Sequence, residues 1–198
     1  MKKQGYLFLK ALSNIRNIFT RPPYSPSEFP IKVINRFDER INLFWDETKE
    51  HYKFIVERNQ DYLNWRYCDP RGGNYVVKQV EEDGHILGYS VLRINRYRAE
   101  YPEGYIVDLL TLPDRLDVAS ALITDAVHHF DDLEINIVLS TVVKDHPYET
   151  LFKRQGFLDS RTEQEIMYRP KQEGSEFDDF RTAPANQLQF QYGDTDSI

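Results

Sequence analysis

An acidic residue interrupts one of the apolar stretches of this 198-residue chain. Asp108 lies within residues 105–112, and strand alternation places it on the same face as its apolar neighbours two residues away. A carboxylate in such surroundings must either be paired with a cation or have a raised pKa of the kind found at functional sites. Both interpretations stay open here: a structural ion pair, for which Arg66 and Arg93 are candidate partners, or a carboxylate that takes part in chemistry.

Other reactive residue types occur without the spacing that their chemistry needs. His128 and His129 are adjacent, so on a helix their rings do not converge on one metal ion. Ser, His and Asp residues occur, but no nucleophile-elbow pattern does. The single cysteine, Cys68, has no Cys or His at metal-ligand spacing and no partner for an internal disulfide. We therefore predict no metal site, and a reducing, cytoplasmic location.

The charge of the chain is divided between an acidic body and a basic N-terminal arm. The net charge is −7, but residues 1–22 contain five Lys or Arg and no acid, so the remainder carries −12. An acidic body argues against nucleic acid as the main partner. No apolar run reaches the roughly 18 residues of a membrane span.

The basic arm has the pattern of an amphipathic helix followed by a stiff linker. Its apolar residues recur at helical spacing, and three prolines follow: Phe8, Leu12, Ile15, Phe19; Pro22, Pro23, Pro26. We predict that residues 1–30 form a helix and linker separate from a body of residues 31–198. The helix docks on its own domain or on a protein partner; contact of residues 1–20 with a membrane surface is the less favoured alternative. A third interpretation is that it is the tail of a preceding domain.

The body alternates strand and helix patterns. Strands are predicted over residues 31–37, 75–80, 86–94, 106–112, 135–143, 165–168 and 187–192, and helices over 38–45, 61–67, 118–130 and 148–155. Asp83-Gly84 is a strong hairpin signal between the second and third strands. A polar insertion covers residues 171–185. This order predicts an α/β fold with a mixed sheet and helices on both faces.

The element order, with Gly156-Phe157 after the fourth helix, resembles the GCN5-related N-acetyltransferase (GNAT) superfamily over roughly residue 31 to the C-terminus. Residues 58–67 (Arg-Asn-Gln-Asp-Tyr-Leu-Asn-Trp-Arg-Tyr), 104–110 and 193–196 are similar to a bacterial and archaeal subgroup in which such a domain often forms the C-terminal half of a tandem protein. The resemblance implies a mostly antiparallel sheet of six to seven strands. It also implies that residues 1–30 are an inter-domain connector, with the other half absent or on another chain.

The resemblance implies an acyl transfer from acetyl-CoA to an amine of a small molecule or sugar. The strand of residues 106–112 would line the cleft, where backbone N–H groups at Leu110 and Leu112 hold the thioester. Asp108 would then be a candidate general base, and Trp65 and Arg66 would border the acceptor pocket.

The family's two chemical motifs are altered in this chain. The phosphate-binding turn has the family form Arg/Gln-x-x-Gly-x-Gly/Ala, but Asp114 and Asp117 stand here at its first two positions and only Ala119 conforms. Acids stabilise a helix start by about 0.3–1 kcal/mol each but repel a pyrophosphate. This leaves Arg115, Val118 and Ala119 as candidate cofactor contacts.

The second motif places Asn and then Tyr on the last helix, at the positions of Asp145 and Phe152 here. Phenylalanine cannot donate a proton, so Tyr148, four residues earlier on the same helix face, is the candidate acid. Tyr148 packing as an ordinary aromatic is the alternative. The sequence thus supports an N-acyltransferase with a degenerate phosphate motif. A non-catalytic GNAT-fold module that assembles with a catalytic partner is the second hypothesis.

Overall fold

The computed structural model describes residues 28–96, 101–160 and 182–195. The predicted N-terminal helix, the predicted strand at residues 165–168 and most of the polar insertion at 171–185 lie outside these ranges.

The described residues form one five-stranded sheet in which spatial order follows chain order. Its strands are β1 (Ile31–Ile34), β2 (Tyr75–Glu82), β3 (His85–Asn95), β4 (Glu103–Thr111) and β5 (Ile137–Ser140). Strands β1 to β4 pair antiparallel, and β4 and β5 pair parallel. The predicted hairpin is confirmed, since Asp83 and Gly84 connect β2 to β3 with φ angles of 48° and 83°.

The predicted fold class is confirmed, but the expected six to seven strands exceed the five that the described residues form. Residues 187–192 were predicted as a strand and instead include parts of two 3₁₀ turns, Ala185–Gln187 and Tyr192–Asp194. Between the turns, the backbone makes an isolated parallel bridge from Leu188 to Phe54. This segment reaches β4 with side chains rather than with a backbone ladder.

Helices cover both faces of the sheet, as predicted. They are α1 (Arg40–Lys49), α2 (Gln60–Leu63, continued by a π-helical turn at Asn64–Cys68), α3 (Leu116–Asp132) and α4 (Pro147–Arg154). Helices α3 and α4 pack on one face around Leu122, Phe130 and Phe152. Helices α1 and α2 pack on the other face around Ile41, Phe44 and Leu63. The N-cap of α2 is Asn59, whose side chain accepts from the Tyr62 N–H.

Strands β4 and β5 separate halfway along β4. Their register ends at the pair of Ile106 and Ser140, while β4 continues to Thr111. The register of β4 against β3 shifts by one residue at Val107, and such a bulge bends a strand. We call the space between residues 107–111 of β4 and the chain after Ser140 the β4–β5 gap.

Candidate active site at the β4–β5 gap

Backbone groups of β4 face the gap, and side chains from the C-terminal part of the chain contact them. The Leu109 N–H donates to Oε1 of Gln191 at 2.7 Å, and Gln191 Nε2 donates to the Leu109 carbonyl at 3.0 Å. Gln189 Nε2 donates to the same carbonyl at 2.9 Å. Both glutamines are buried, with Gln191 only 1% exposed. The edge of β4 that faces the gap therefore binds amide groups.

Strand alternation decides which amides face the gap. Leu112 N–H donates to the Leu87 carbonyl at 2.9 Å, so the amides of Leu112 and, by alternation, Leu110 face β3. The amides of Leu109 and Thr111 face the gap instead. The backbone groups available for chemistry are displaced by one residue from those that the sequence suggested.

The Tyr148 hydroxyl lies at the same edge. Its Oη accepts from Thr111 N–H at 3.2 Å and shares a hydrogen bond with Thr111 Oγ1 at 2.9 Å. It is also hydrogen-bonded to the hydroxyl of Tyr52. Burial raises the pKa of Tyr148, so the phenol is neutral and keeps its proton. Tyr148 thus combines a buried hydroxyl with backbone amides at the end of β4.

The start of α4 positions Tyr148. His146 is the N-cap residue, and its Nδ1 accepts from Tyr148 N–H at 3.1 Å. This bond requires a neutral imidazole, and burial lowers the pKa of His146 to about 4. Pro147 at the first helical position supplies the φ angle that a helix start needs.

We expect the His146 cap to make stability pH-dependent. The pKa of His146 is about 4 in the folded chain and about 6.5 in the unfolded chain, so its contribution is complete above pH 6.5 and is lost as pH falls toward 4. The loss is on the order of 3 kcal/mol. His146→Asn keeps a capping side chain without a titration, so urea denaturation between pH 7.5 and 4 should show a flatter profile for the variant.

The exposed His85 supplies the control for that series. His85→Asn should leave the wild-type pH profile unchanged. Parallel profiles for wild type and His146→Asn would contradict a buried, neutral cap.

Asp108 is at the centre of a buried charge cluster behind the gap. Its Oδ2 lies 2.9 Å from Arg58 Nε and accepts from the hydroxyls of Tyr67 at 3.0 Å and Tyr89 at 3.1 Å. Asp108 and Arg58 are each 0% exposed. The structural ion pair is therefore present, with Arg58 in place of Arg66 or Arg93.

A second carboxylate joins this cluster from the C-terminal part of the chain. Asp194 Oδ1 lies 2.6 Å from Arg58 Nη2, and burial raises the pKa of Asp194. Sequence reasoning overlooked Arg58, although it begins the motif at residues 58–67. Its separation of 50 residues from Asp108 and 136 from Asp194 left no local pattern that pairs them.

Trp65 and Arg66 point to different surroundings. Trp65 is 62% exposed and its ring lies 5.8 Å from that of Tyr62. Arg66 donates to two backbone carbonyls of the C-terminal segment, from Nε to Gly193 O at 3.2 Å and from Nη2 to Thr195 O at 2.7 Å. Arg66 therefore holds the chain's own backbone, whereas Trp65 faces solvent.

At the start of α3, a carboxylate lies where the resemblance places a pyrophosphate. Asp117 accepts from Arg115 Nε and Nη2 at 3.0 and 2.9 Å. The Arg115 guanidinium, with the backbone N–H groups of Val118 and of Asp117 itself, lowers the pKa of Asp117. Asp114 precedes this turn with a φ angle of 62°. The side chains of Val118 and Ala119 are buried in the core.

The part of the chain that the structure describes lacks two features. No group of three or more His, Cys, Asp or Glu residues there is arranged to hold a metal ion. Among the helices of that part, none is long and apolar enough to cross a membrane.

Comparison with known proteins places this geometry in a family. The model of the acetyltransferase (GNAT) family matches residues 36–157. No curated protein matches the chain.

Solved structures share the fold at low sequence identity. An aminoglycoside acetyltransferase from an uncultured soil metagenomic sample, in complex with trehalose, is 18% identical with a TM-score of 0.50, covering 73% of this chain and 97% of that one. Glucosamine-6-phosphate N-acetyltransferase from Arabidopsis thaliana is 11% identical with a TM-score of 0.53, covering 71% and 99%. A putative acetyltransferase from Agrobacterium tumefaciens is 15% identical with a TM-score of 0.53, covering 70% and 99%. The chain belongs to the GNAT family of acetyltransferases.

Proposed function

We propose that this protein is a cytoplasmic N-acyltransferase that transfers an acetyl or acyl group from acyl-CoA to an amine of a small molecule or sugar. The observation that carries the proposal is that the Leu109 and Thr111 amides face the β4–β5 gap and that the Tyr148 hydroxyl binds the second of them. Two similar structures are, by their names, an aminoglycoside acetyltransferase and a glucosamine-6-phosphate N-acetyltransferase. Their names support an amino sugar as the acceptor class.

The edge of β4 fits the pantetheine arm of acyl-CoA, but the start of α3 does not fit its pyrophosphate. The edge of β4 offers N–H and C=O groups that match the amides of the pantetheine arm. The start of α3 does not fit the pyrophosphate, because the Asp117 carboxylate already accepts from its amides and would repel a second anion. We therefore assign binding to the strand edge, with Arg115 paired to Asp117 rather than to a phosphate.

Acyl-CoA, when bound, supplies the acyl group as an activated thioester. The amide of Leu109 is placed to donate to the thioester carbonyl oxygen at which negative charge develops, while the amide of Thr111 holds the Tyr148 hydroxyl. Tyr148 holds a proton at Oη and is placed to pass it to the departing sulfur. Trp65 offers an exposed indole face to a sugar acceptor.

Asp108 has a positioning role in this proposal rather than that of the base that receives a proton from the acceptor amine. Its carboxylate is engaged by Arg58, Tyr67 and Tyr89 and has no solvent-exposed surface. It holds Arg58, which in turn holds the C-terminal part of the chain through Asp194. The body of residues 31–198 acts in this view as one domain.

Calorimetric titration tests the proposal. We expect wild-type protein to bind acetyl-CoA with a Kd in the micromolar range. Because the helix start repels phosphate, S-acetyl-pantetheine, which lacks the nucleotide, should bind within about tenfold of acetyl-CoA. No binding of either compound at millimolar concentration would overturn the proposal. A loss of more than about a hundredfold without the nucleotide would contradict binding by the strand edge alone.

A second candidate function is a non-catalytic module that assembles with a catalytic GNAT domain. It is favoured by the chain's own occupation of both cofactor contacts, by Asp117 at α3 and by Gln191 at β4. Residues 1–30 would then connect to that domain or contact it on another chain. Failure to bind acetyl-CoA, together with an intact fold, is the result that this candidate predicts.

A further inference from the structure

We propose that the C-terminal segment, residues 187–195, is an internal competitor for the acyl-CoA groove: ligand binding requires Gln189 and Gln191 to leave Leu109. This inference rests on the proposed function and adds a means of controlling the same site. Three features of the segment support it: the pattern of its hydrogen bonds at the gap, its burial and its anchors.

The Gln191 carboxamide has the donor and acceptor pattern of a ligand amide. It accepts from the Leu109 N–H at 2.7 Å and donates to the Leu109 carbonyl at 3.0 Å. An acyl-pantetheine arm that lies along β4 offers the same two groups from successive parts of the arm: a carbonyl oxygen that accepts from the Leu109 N–H and an amide N–H that donates to the Leu109 carbonyl. The arm and the Gln191 carboxamide cannot occupy this position together, so ligand and Gln191 are mutually exclusive.

Burial prevents the glutamines from leaving alone. Gln189 and Gln191 are 2% and 1% exposed, and Gln189 makes a further hydrogen bond of 2.9 Å to the Leu109 carbonyl. Moving either carboxamide out of the gap therefore requires the backbone that carries it to move. Displacement is a local opening of the segment rather than a change of side-chain rotamer.

Contacts that hold the two ends of the segment, which we call its anchors, determine the free energy of that opening. At the first end, Gln189 N–H donates to the Phe54 carbonyl at 2.8 Å, and Lys53 N–H donates to the Gln187 carbonyl at 2.8 Å. At the other end, Asp194 pairs with Arg58 at 2.6 Å.

Close packing at the second anchor requires glycine at position 193, because a Cβ there would lie only 2.0 Å from Tyr67 Oη. The apparent affinity for acyl-CoA is reduced by the small fraction of molecules in which these anchors are open. A change that weakens the segment should consequently tighten ligand binding.

Substitutions of Gln191 test the competition in the full-length protein. Gln191→Ala removes two hydrogen bonds of the closed segment and leaves the Leu109 N–H unpaired until a ligand arrives. We expect its Kd for acetyl-CoA, measured by calorimetry, to be at least about tenfold lower than that of wild type. Gln191→Glu keeps the size of the side chain but sets a carboxylate oxygen against the Leu109 carbonyl, so its affinity should also rise. Asn186→Ala, at an exposed position of the same part of the chain, is the matched control and should not change the Kd.

Hydrogen exchange supplies a readout independent of affinity and activity. When acetyl-CoA is added to wild-type protein, the Gln189 amide should lose protection, because its bond to Phe54 opens. The Leu109 amide should stay protected because the ligand replaces the Gln191 side chain that covered it, and the Thr111 amide should stay protected because Tyr148 still covers it.

The outcomes separate the competition from the proposed function. Equal Kd values for wild type and both Gln191 variants, with Gln189 protection unchanged, would overturn the competitor and leave the acyltransferase proposal standing. No binding by any of these proteins at millimolar acetyl-CoA would overturn both. If Gln191→Ala does not fold, Gln191→Glu decides the question by the same measurement.

Discussion

Arg58→Met should lower the free energy of unfolding by about 3–5 kcal/mol. Arg58 is fully buried and lies between the carboxylates of Asp108 and Asp194, at 2.9 and 2.6 Å. Methionine fills a similar volume but leaves two buried carboxylates without a cation, and an uncompensated buried charge is the costly outcome of breaking such a cluster. Urea denaturation at pH 7.5 measures the loss.

The loss in free energy of unfolding caused by Arg58→Met should be smaller at acidic pH. Burial already raises the pKa of Asp194, and Arg58 opposes that rise, so removing Arg58 raises the pKa further. A carboxyl whose pKa is raised on folding stabilises the folded state below its unfolded pKa of about 3.9, and this contribution is lost as pH rises through the folded value. The difference from wild type should therefore be smaller at pH 5 than at pH 7.5.

Arg71→Met is the matched control for this substitution. Arg71 is also paired with an aspartate, Asp69, but its side chain is 88% exposed. An exposed ion pair contributes little, so this variant should stay within about 0.5 kcal/mol of wild type. A similarly small effect for Arg58→Met would contradict a buried, interdependent charge cluster.

Tyr148→Phe should lower kcat for acyl transfer by about a hundredfold or more, with a small change in KM for acetyl-CoA. The substitution removes the buried hydroxyl at Thr111 and with it the proton for the departing sulfur. It keeps the aromatic packing of α4 against the core. Release of coenzyme A in the presence of an amino sugar, such as an aminoglycoside or glucosamine 6-phosphate, is the measurement.

A structural loss must be distinguished from a chemical one in that experiment. Tyr148→Phe leaves the Thr111 N–H without its acceptor, which costs about 1–3 kcal/mol of stability, so unfolding is measured alongside activity. Tyr105→Phe is the control, because its hydroxyl contacts Glu103 at 2.7 Å at the other end of β4. Activity of Tyr148→Phe within threefold of wild type would rule out Tyr148 as the acid.

Local patterns predicted the elements well where a short stretch of chain decides the outcome. The Asp83-Gly84 turn requires positive φ angles, and both residues have them. The apolar run at residues 105–112 becomes β4, a strand covered on both faces. The prediction of a strand at residues 187–192 was wrong because distant contacts decide the structure there. The alternating pattern matches a strand, but tertiary contacts make Gln189 and Gln191 side-chain partners of Leu109.

The sequence by itself determined the fold class, the helices on both faces, the acidic start of α3 and the need for Asp108 either to be paired or to have a raised pKa. Each of these depends on periodicity, on turn chemistry or on the cost of burying one charge. Only the tertiary structure decided that Arg58 and Asp194 complete the charge cluster, and that Leu109 rather than Leu110 faces the gap. It alone brought the C-terminal segment onto β4. Contacts between residues 50 to 136 positions apart arise from how packed elements meet, and a linear pattern carries no record of that.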